Sequence, residues 1–292
     1  MSANNKNIKT ICKNIRETDN RIALLSEQKQ LSYTFLADTL IASCQEGNIT
    51  QKLISEYVNL IDECIDKKCH AEIIRFFEIL VNDLSFSTSF FNNGNIPLDI
   101  FSPSASAKIS YVKNNYSDAA FMRFSTLFDN PKVSYKMTFE DVCEDVYNNV
   151  SDYCILPIET SGGKLFSFYT LIDKYDMKIF AVCDLEDGVS DKLTRYALIS
   201  KKSLFYPHKT KRCYIEFSMI GDNYYSLKDI LEASEMCGIK LYRIDTMSVP
   251  YDDLTFKFYH VFECDTLHAL PFIIYLHYKH PQHDAIGYYI SL

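Results

Sequence analysis

LPIETSGG, residues Leu156–Gly163, is the stretch on which the fold turns. Cys154–Ile158 is a short continuous apolar run, the signature of a buried strand, and it breaks through Glu159, Thr160 and Ser161 into a pair of glycines that marks a turn. Upstream, Thr138–Asn148 and Ser117–Phe128 carry helical spacing, and Lys108–Val112 alternates as a short strand. Strand and helix therefore alternate through this region, which predicts an α/β layer.

Further out, Ile8, Ile11, Ile15, Ile22 and Leu25 recur at intervals of three and four or their sums, and Leu36 and Leu40 extend the stripe along one long helix. A second helical pattern holds Leu53, Tyr57, Leu60 and Ile61, and a third holds Ile73, Phe76, Phe77, Leu80 and Leu84, so three helices fill residues 6–90. Asn92–Asn95 with Pro97, Pro103 and the small residues up to Ala107 reads as a linker. Toward the other end come a strand at Cys213–Phe217, a helix at Ser226–Cys237 closed by Gly238, strands at Ile239–Thr246 and Leu254–Glu263, a helix at Thr266–Tyr278 and a strand at Ala285–Ile290. That order, βαββαβ, predicts a small ferredoxin-like unit. The expected organisation is thus multidomain: helical residues 1–92, a linker at 93–107, an α/β lobe at 108–206 and a βαββαβ unit at 207–292.

Composition narrows the function. With 47% hydrophobic and 23% charged residues the chain can bury its cores, which argues against disorder. Lysine plus arginine against aspartate plus glutamate is 10 to 12 in residues 1–92, 12 to 14 in 108–206 and 8 to 11 in 207–292, so no segment concentrates the cationic charge that nucleic-acid binding needs. The apolar stretch Leu267–Tyr278 is interrupted by two histidines and falls far short of a bilayer span. Ten scattered cysteines without a CxxC pair, behind the polar opening MSANNKNIK, predict reduced thiols in a cytoplasmic protein. Cys64, Cys69 and His70 come nearest to a metal motif, but the spacing is wrong and no second ligand pair follows, so neither metal nor cofactor is expected.

Four segments fall in a telling order: KISYVKNNYSDAA (Lys108–Ala120), FEDVCEDVYNNVSDYCILP leading into LPIETSGG, and LTRYAL (Leu193–Leu198). Together they resemble the prephenate dehydratases, whose signature pairs a Pro-Ile-Glu-Asn turn with a later Thr-Arg-Phe motif. The resemblance implies a catalytic role for Thr194, with Arg195, Glu159 and Ser161 beside it, and substrate contacts from Thr160 and Lys164. The implied substrate is prephenate or a related aromatic carboxylate. It must lose carbon dioxide and hydroxide together, which calls for cations or amide donors and a proton source.

The N-terminal NIRETDNRIALLSEQKQLS resembles the first helix of helical chorismate mutases, the other half of bifunctional chorismate mutase/prephenate dehydratase proteins. Of that enzyme's clamp of cations the resemblance leaves Lys29; the first-helix arginine falls on Cys12 and the expected glutamine falls in SFSTSFF. The C-terminal unit resembles an ACT regulatory domain, which implies phenylalanine as effector near Ser226, Leu227, Asp245 and Thr246, with Tyr225 where the family has glycine. Both resemblances imply a homo-oligomer, a dimer or higher.

Departures from the family pattern set the functional expectation. The glycine-rich turn after the first strand is replaced by Lys113-Asn114-Asn115, and Thr160 replaces the signature asparagine. Only Glu186–Lys192 stands where the family inserts a second lobe, so one wall of the substrate cleft is expected to be missing. Two readings result. One is a divergent prephenate dehydratase-like protein of phenylalanine biosynthesis, with impaired or lost catalysis. The alternative is a noncatalytic paralog acting as a phenylalanine-sensing, assembly or regulatory subunit.

Overall fold

The computed structural model describes residues 2–45, 50–64, 70–83, 96–102, 106–186, 193–206, 212–221, 224–249 and 252–292. Parts of the expected linker (93–95 and 103–105), the short connector at 187–192, the SFSTSFF segment and Cys69 lie outside them. The elements run α1 Ser2–Gln45, α2 Gln51–Cys64, α3 His70–Asn82, β1 Asp99–Ile100, β2 Lys108–Val112, α4 Asn115–Phe124, β3 Lys132–Lys136, α5 Phe139–Tyr147, β4 Tyr153–Thr160, β5 Gly163–Lys164, α6 Phe166–Lys174, β6 Lys178–Glu186, β7 Leu193–Ser200, β8 Leu204–Phe205, β9 Cys213–Ile220, α7 Tyr224–Met236, β10 Lys240–Val249, β11 Asp252–Cys264, α8 Thr266–Lys279 and β12 Asp284–Ser291. The protein is thus a mixed helix-and-sheet α/β structure.

One sheet carries nearly all the strands, in the order β10-β11-β9-β12-β6-β7-β4-β2-β3. The four strands after residue 212 pair antiparallel, as do β6, β7 and β4, whereas β4, β2 and β3 run parallel. The join between the two halves is the parallel pair β12–β6. Gly287 lies at that join, where a Cβ would collide with the carbonyl oxygen of Ile179, so only glycine allows the two backbones to approach.

Alternation along the strands sends successive side chains to opposite layers. On one face Leu156, Val182, Ala197, Ile199 and Tyr289 pack under Val142 and Val146 of α5 and Ile172 of α6. On the other, Ile155, Phe180 and Leu198 pack under Ala120 and Phe124 of α4. Further along this second face, Ile215 and Phe217 meet Ile230 of α7 and Phe272 of α8, and the same core takes in Phe76, Phe77 and Leu80 of α3.

Among the described residues of α1, only those toward its C-terminal end join this core, through Ala37 and Leu40. At 44 residues the helix is about 66 Å long, and Ile8, Ile11, Ile15, Ile22 and Leu25 are each more than half exposed along its free portion. No helix among the described residues is long and apolar enough to cross a membrane.

Among the departures from the sequence expectation are β3 and the start of α4. Among the described residues β3, KVSYK, pairs only with β2 and has lysines at both ends, as suits a sheet edge, so it lacks the apolar run that marks an interior strand. The Lys113-Asn114-Asn115 turn starts a helix earlier than apolar spacing suggests, because the Asn114 side chain accepts the Ser117 backbone N–H at 2.8 Å.

Candidate active site

A cavity of about 500 Å³ opens where the C-terminal end of β4, the β4–β5 turn, the end of β6 and the start of β7 face β10. Strands β4 and β10 are far apart in sheet order, so their meeting across this cavity means that the sheet curls on itself. One side is built from Glu159, Thr160, Ser161, Asp184 and Arg195, and the opposing side from Tyr242 and Arg243. The second wall, which the connector length leaves without an evident source, comes from β10 of the same chain.

Charge is closely matched inside it. Arg195 makes a two-pronged hydrogen bond to Asp184, Nε to Oδ1 at 2.7 Å and Nη2 to Oδ2 at 2.9 Å, and its Nη1 lies 3.5 Å from Glu159 Oε2. Arg243 donates through both terminal nitrogens to Glu159, and its Nε lies 2.7 Å from Asp245 Oδ2. Burial works against each guanidinium charge, but the hydrogen bonds it donates and the nearby negative charges together outweigh that, from Asp184 and Glu159 for Arg195 and from Glu159 and Asp245 for Arg243, and both arginines titrate above their ordinary range. Two cations and two carboxylates line the cavity, and Asp245, beside Arg243 and 3.9 Å from Lys164 Nζ, lies next to it, so the cavity has no surplus positive charge for a dianion.

The turn offers little more. The Ser161 N–H donates to the Leu193 carbonyl at 3.0 Å, and the Gly162 N–H to Thr160 Oγ1 at 3.3 Å, so these amides do not form an anion nest. Gly163, at φ +114°, occupies backbone space closed to other residues.

Lys164 lies behind the wall, not in the cavity. Its side chain is 1% exposed and pairs with Glu216, which is fully buried, while Nζ also donates to the Tyr169 hydroxyl at 2.6 Å. Tyr289 donates to the other Glu216 oxygen at 2.7 Å. Burial, reinforced by the Glu216 charge, pushes both tyrosines well above their normal pKa, so they serve as neutral hydrogen-bond donors.

The remaining sequence-singled residues are dispersed. Thr194 pairs with Thr160 and Leu185 on β7, and strand alternation turns it to the face opposite Arg195; it does not line the cavity. Lys29 is half exposed and pairs with Glu72, tying α1 to α3. Asp245 joins the charged cluster, whereas Thr246, next to it on β10, is exposed on the other face. Leu227 is half-buried in the first turns of α7, and the Ser226 side chain lies outside the described set. Arg243 and Asp184, which close the cluster, carry no motif; Arg243 sits 84 residues from Glu159, a separation only the folded sheet can bring together.

No family model matches this chain, and no curated protein does. Solved structures do. A prephenate dehydratase from Streptococcus mutans superposes with a TM-score of 0.50 at 16% identity, over 63% of this chain and 98% of that one. A structure described as a novel type of quorum-quenching acylase gives 0.49 at 16% identity, over 64% and 95%. A prephenate dehydratase from Arthrobacter aurescens in complex with L-Phe gives 0.47 at 13%, over 62% and 89%. In fold, about two-thirds of the chain is similar to the Streptococcus mutans prephenate dehydratase.

Proposed function

We propose that this chain is a prephenate dehydratase-like protein of phenylalanine biosynthesis that has lost the dehydration step and acts in the cytoplasm as a noncatalytic sensing or assembly subunit. The observation that carries this reading is the pairing of both cavity arginines with Glu159 and Asp184. Prephenate carries two carboxylates, and binding it here would break ion pairs without supplying new cations. Thr194, the residue tied to catalysis by resemblance, does not line the cavity, and strand alternation turns it to the face opposite Arg195, which argues against hydroxyl and cation acting on one bound substrate.

Purified chain incubated with prephenate is expected to release phenylpyruvate at no more than the background rate, with Thr194→Ala unchanged. Turnover that Thr194→Ala abolishes would overturn the proposal. The sensing version predicts that millimolar phenylalanine raises the thermal midpoint, since a ligand bound only by the native state stabilises it; without that rise, assembly alone remains.

The apolar stripe on the free portion of α1 supports self-association, because five large aliphatic side chains at helical spacing face no other part of the described chain. A homodimer or larger assembly is expected by light scattering. Replacing Ile11, Ile15 and Ile22 with glutamate is expected to yield monomer with unchanged far-ultraviolet circular dichroism. An unmodified chain that runs as a monomer at micromolar concentration would refute this part.

A further inference from the structure

His70 stands at the start of α3 with its side chain only 7% exposed. Its Nδ1 lies 2.6 Å from the Tyr275 hydroxyl of α8, and the two rings meet edge to face. That contact fixes the ring and aims Nε2 at α7, where Asp229 Oδ1 is 3.4 Å away. Glu232, three residues on and thus on the same side of the helix, adds a second carboxylate, and the three ligand atoms all lie within 4.8 Å of one another.

We propose that His70, Asp229 and Glu232 form a binding site for a divalent first-row transition metal, bridging the N-terminal helices and the C-terminal unit. One imidazole nitrogen and two carboxylate oxygens suit zinc, cobalt or manganese, and the two negative charges balance the ion. The tyrosine hydroxyl on the other ring nitrogen is the kind of outer partner that fixes the orientation of a metal-bound imidazole. Bonds of about 2.1 Å limit two ligands of one ion to roughly 4.2 Å apart. The cluster reaches that by rotation of Asp229 and Glu232, whose side chains are 40% and 43% exposed. The same exposure leaves room for water to complete the coordination. Lys228, which pairs with Glu232 at 3.4 Å, holds it only through an exposed helix-surface contact that a dication displaces.

A simple His70–Asp229 ion pair would also hold α3 against α7, but it gives Glu232 no role, so Glu232 is the discriminating residue. Full-length protein stripped with EDTA is titrated with Co²⁺, followed by calorimetry and visible absorption, and its thermal midpoint is measured with and without Zn²⁺. One Co²⁺ per chain without a thiolate-to-cobalt charge-transfer band is expected, together with a higher midpoint in Zn²⁺ and an affinity loss of about tenfold or more in Glu232→Gln. Glu232→Gln changes a partly exposed helix position and keeps the fold testable where His70→Ala could disturb packing. Absence of binding at millimolar metal, a thiolate band that moves the ion to the cysteines, or unchanged affinity in Glu232→Gln would each overturn the proposal.

Discussion

Lys164→Met is expected to destabilise the protein by about 3–5 kcal/mol, the usual cost of removing one partner from a buried ion pair. The ammonium and the Glu216 carboxylate are both out of contact with water, with Tyr169 and Tyr289 supplying the other hydrogen bonds. Without Lys164, Glu216 would be left buried with no cation beside it and only tyrosine hydroxyls to offset desolvation. Replacing both residues, Lys164→Met with Glu216→Leu, is expected to recover part of the loss. It removes the stranded charge but leaves two tyrosine hydroxyls short of partners. The urea midpoint of each variant, converted with its own slope, measures this. A loss below about 1 kcal/mol for Lys164→Met would mean the pair is hydrated.

Acid is expected to weaken the fold before its carboxylates protonate. Burial lowers the pKa of His260 from 6.5 to about 4. Its ring is 4% exposed at the residue level, stacked on Phe217, and Nδ1 has no hydrogen-bond partner. Between these two pKa values the unfolded chain binds a proton that the folded chain refuses, so the stabilisation is fully present above pH 6.5 and is lost as pH falls toward 4. A shift of this size is worth about 3 kcal/mol over that window. His280, also lowered to about 4, and His277 and His283 shift the same way, in each case chiefly through burial. His260→Phe is expected to flatten the stability curve by His260's share, read as urea midpoints at pH 7 and pH 4.5. An undiminished slope in the variant would locate the acid sensitivity elsewhere.

Periodicity made most of the elements legible. The helices of residues 2–82 follow from isoleucine and leucine spacing, and the strand at Cys154–Ile158 from its unbroken apolar run. β3 was hidden because an edge strand needs no apolar run. α6 was hidden because its aromatic residues fall in a short segment directly after the glycine turn. The site was legible only in part: Glu159, Ser161 and Arg195 share the cavity, but their motif says nothing of Asp184 or Arg243, which neutralise it. The short Glu186–Lys192 connector, set against the family pattern, also suggested a cleft open on one side, because sheet curvature, which brings β10 across, is a property of the whole strand order and not of any segment. For the same reason Asp229 and Glu232 could not be joined to His70 by counting along the chain.

The parallel seam between β12 and β6 has a practical corollary. Severing the chain near residue 206 would strip a neighbour from β6 on one fragment and from β12 on the other, leaving each with a row of unsatisfied amides and carbonyls in the middle of what had been a sheet. Such bare borders recruit whatever strand they meet, so the two pieces should be insoluble apart and recover when expressed together. Modularity that looks plain in the linear order of elements is therefore not available to anyone wishing to borrow the C-terminal unit alone.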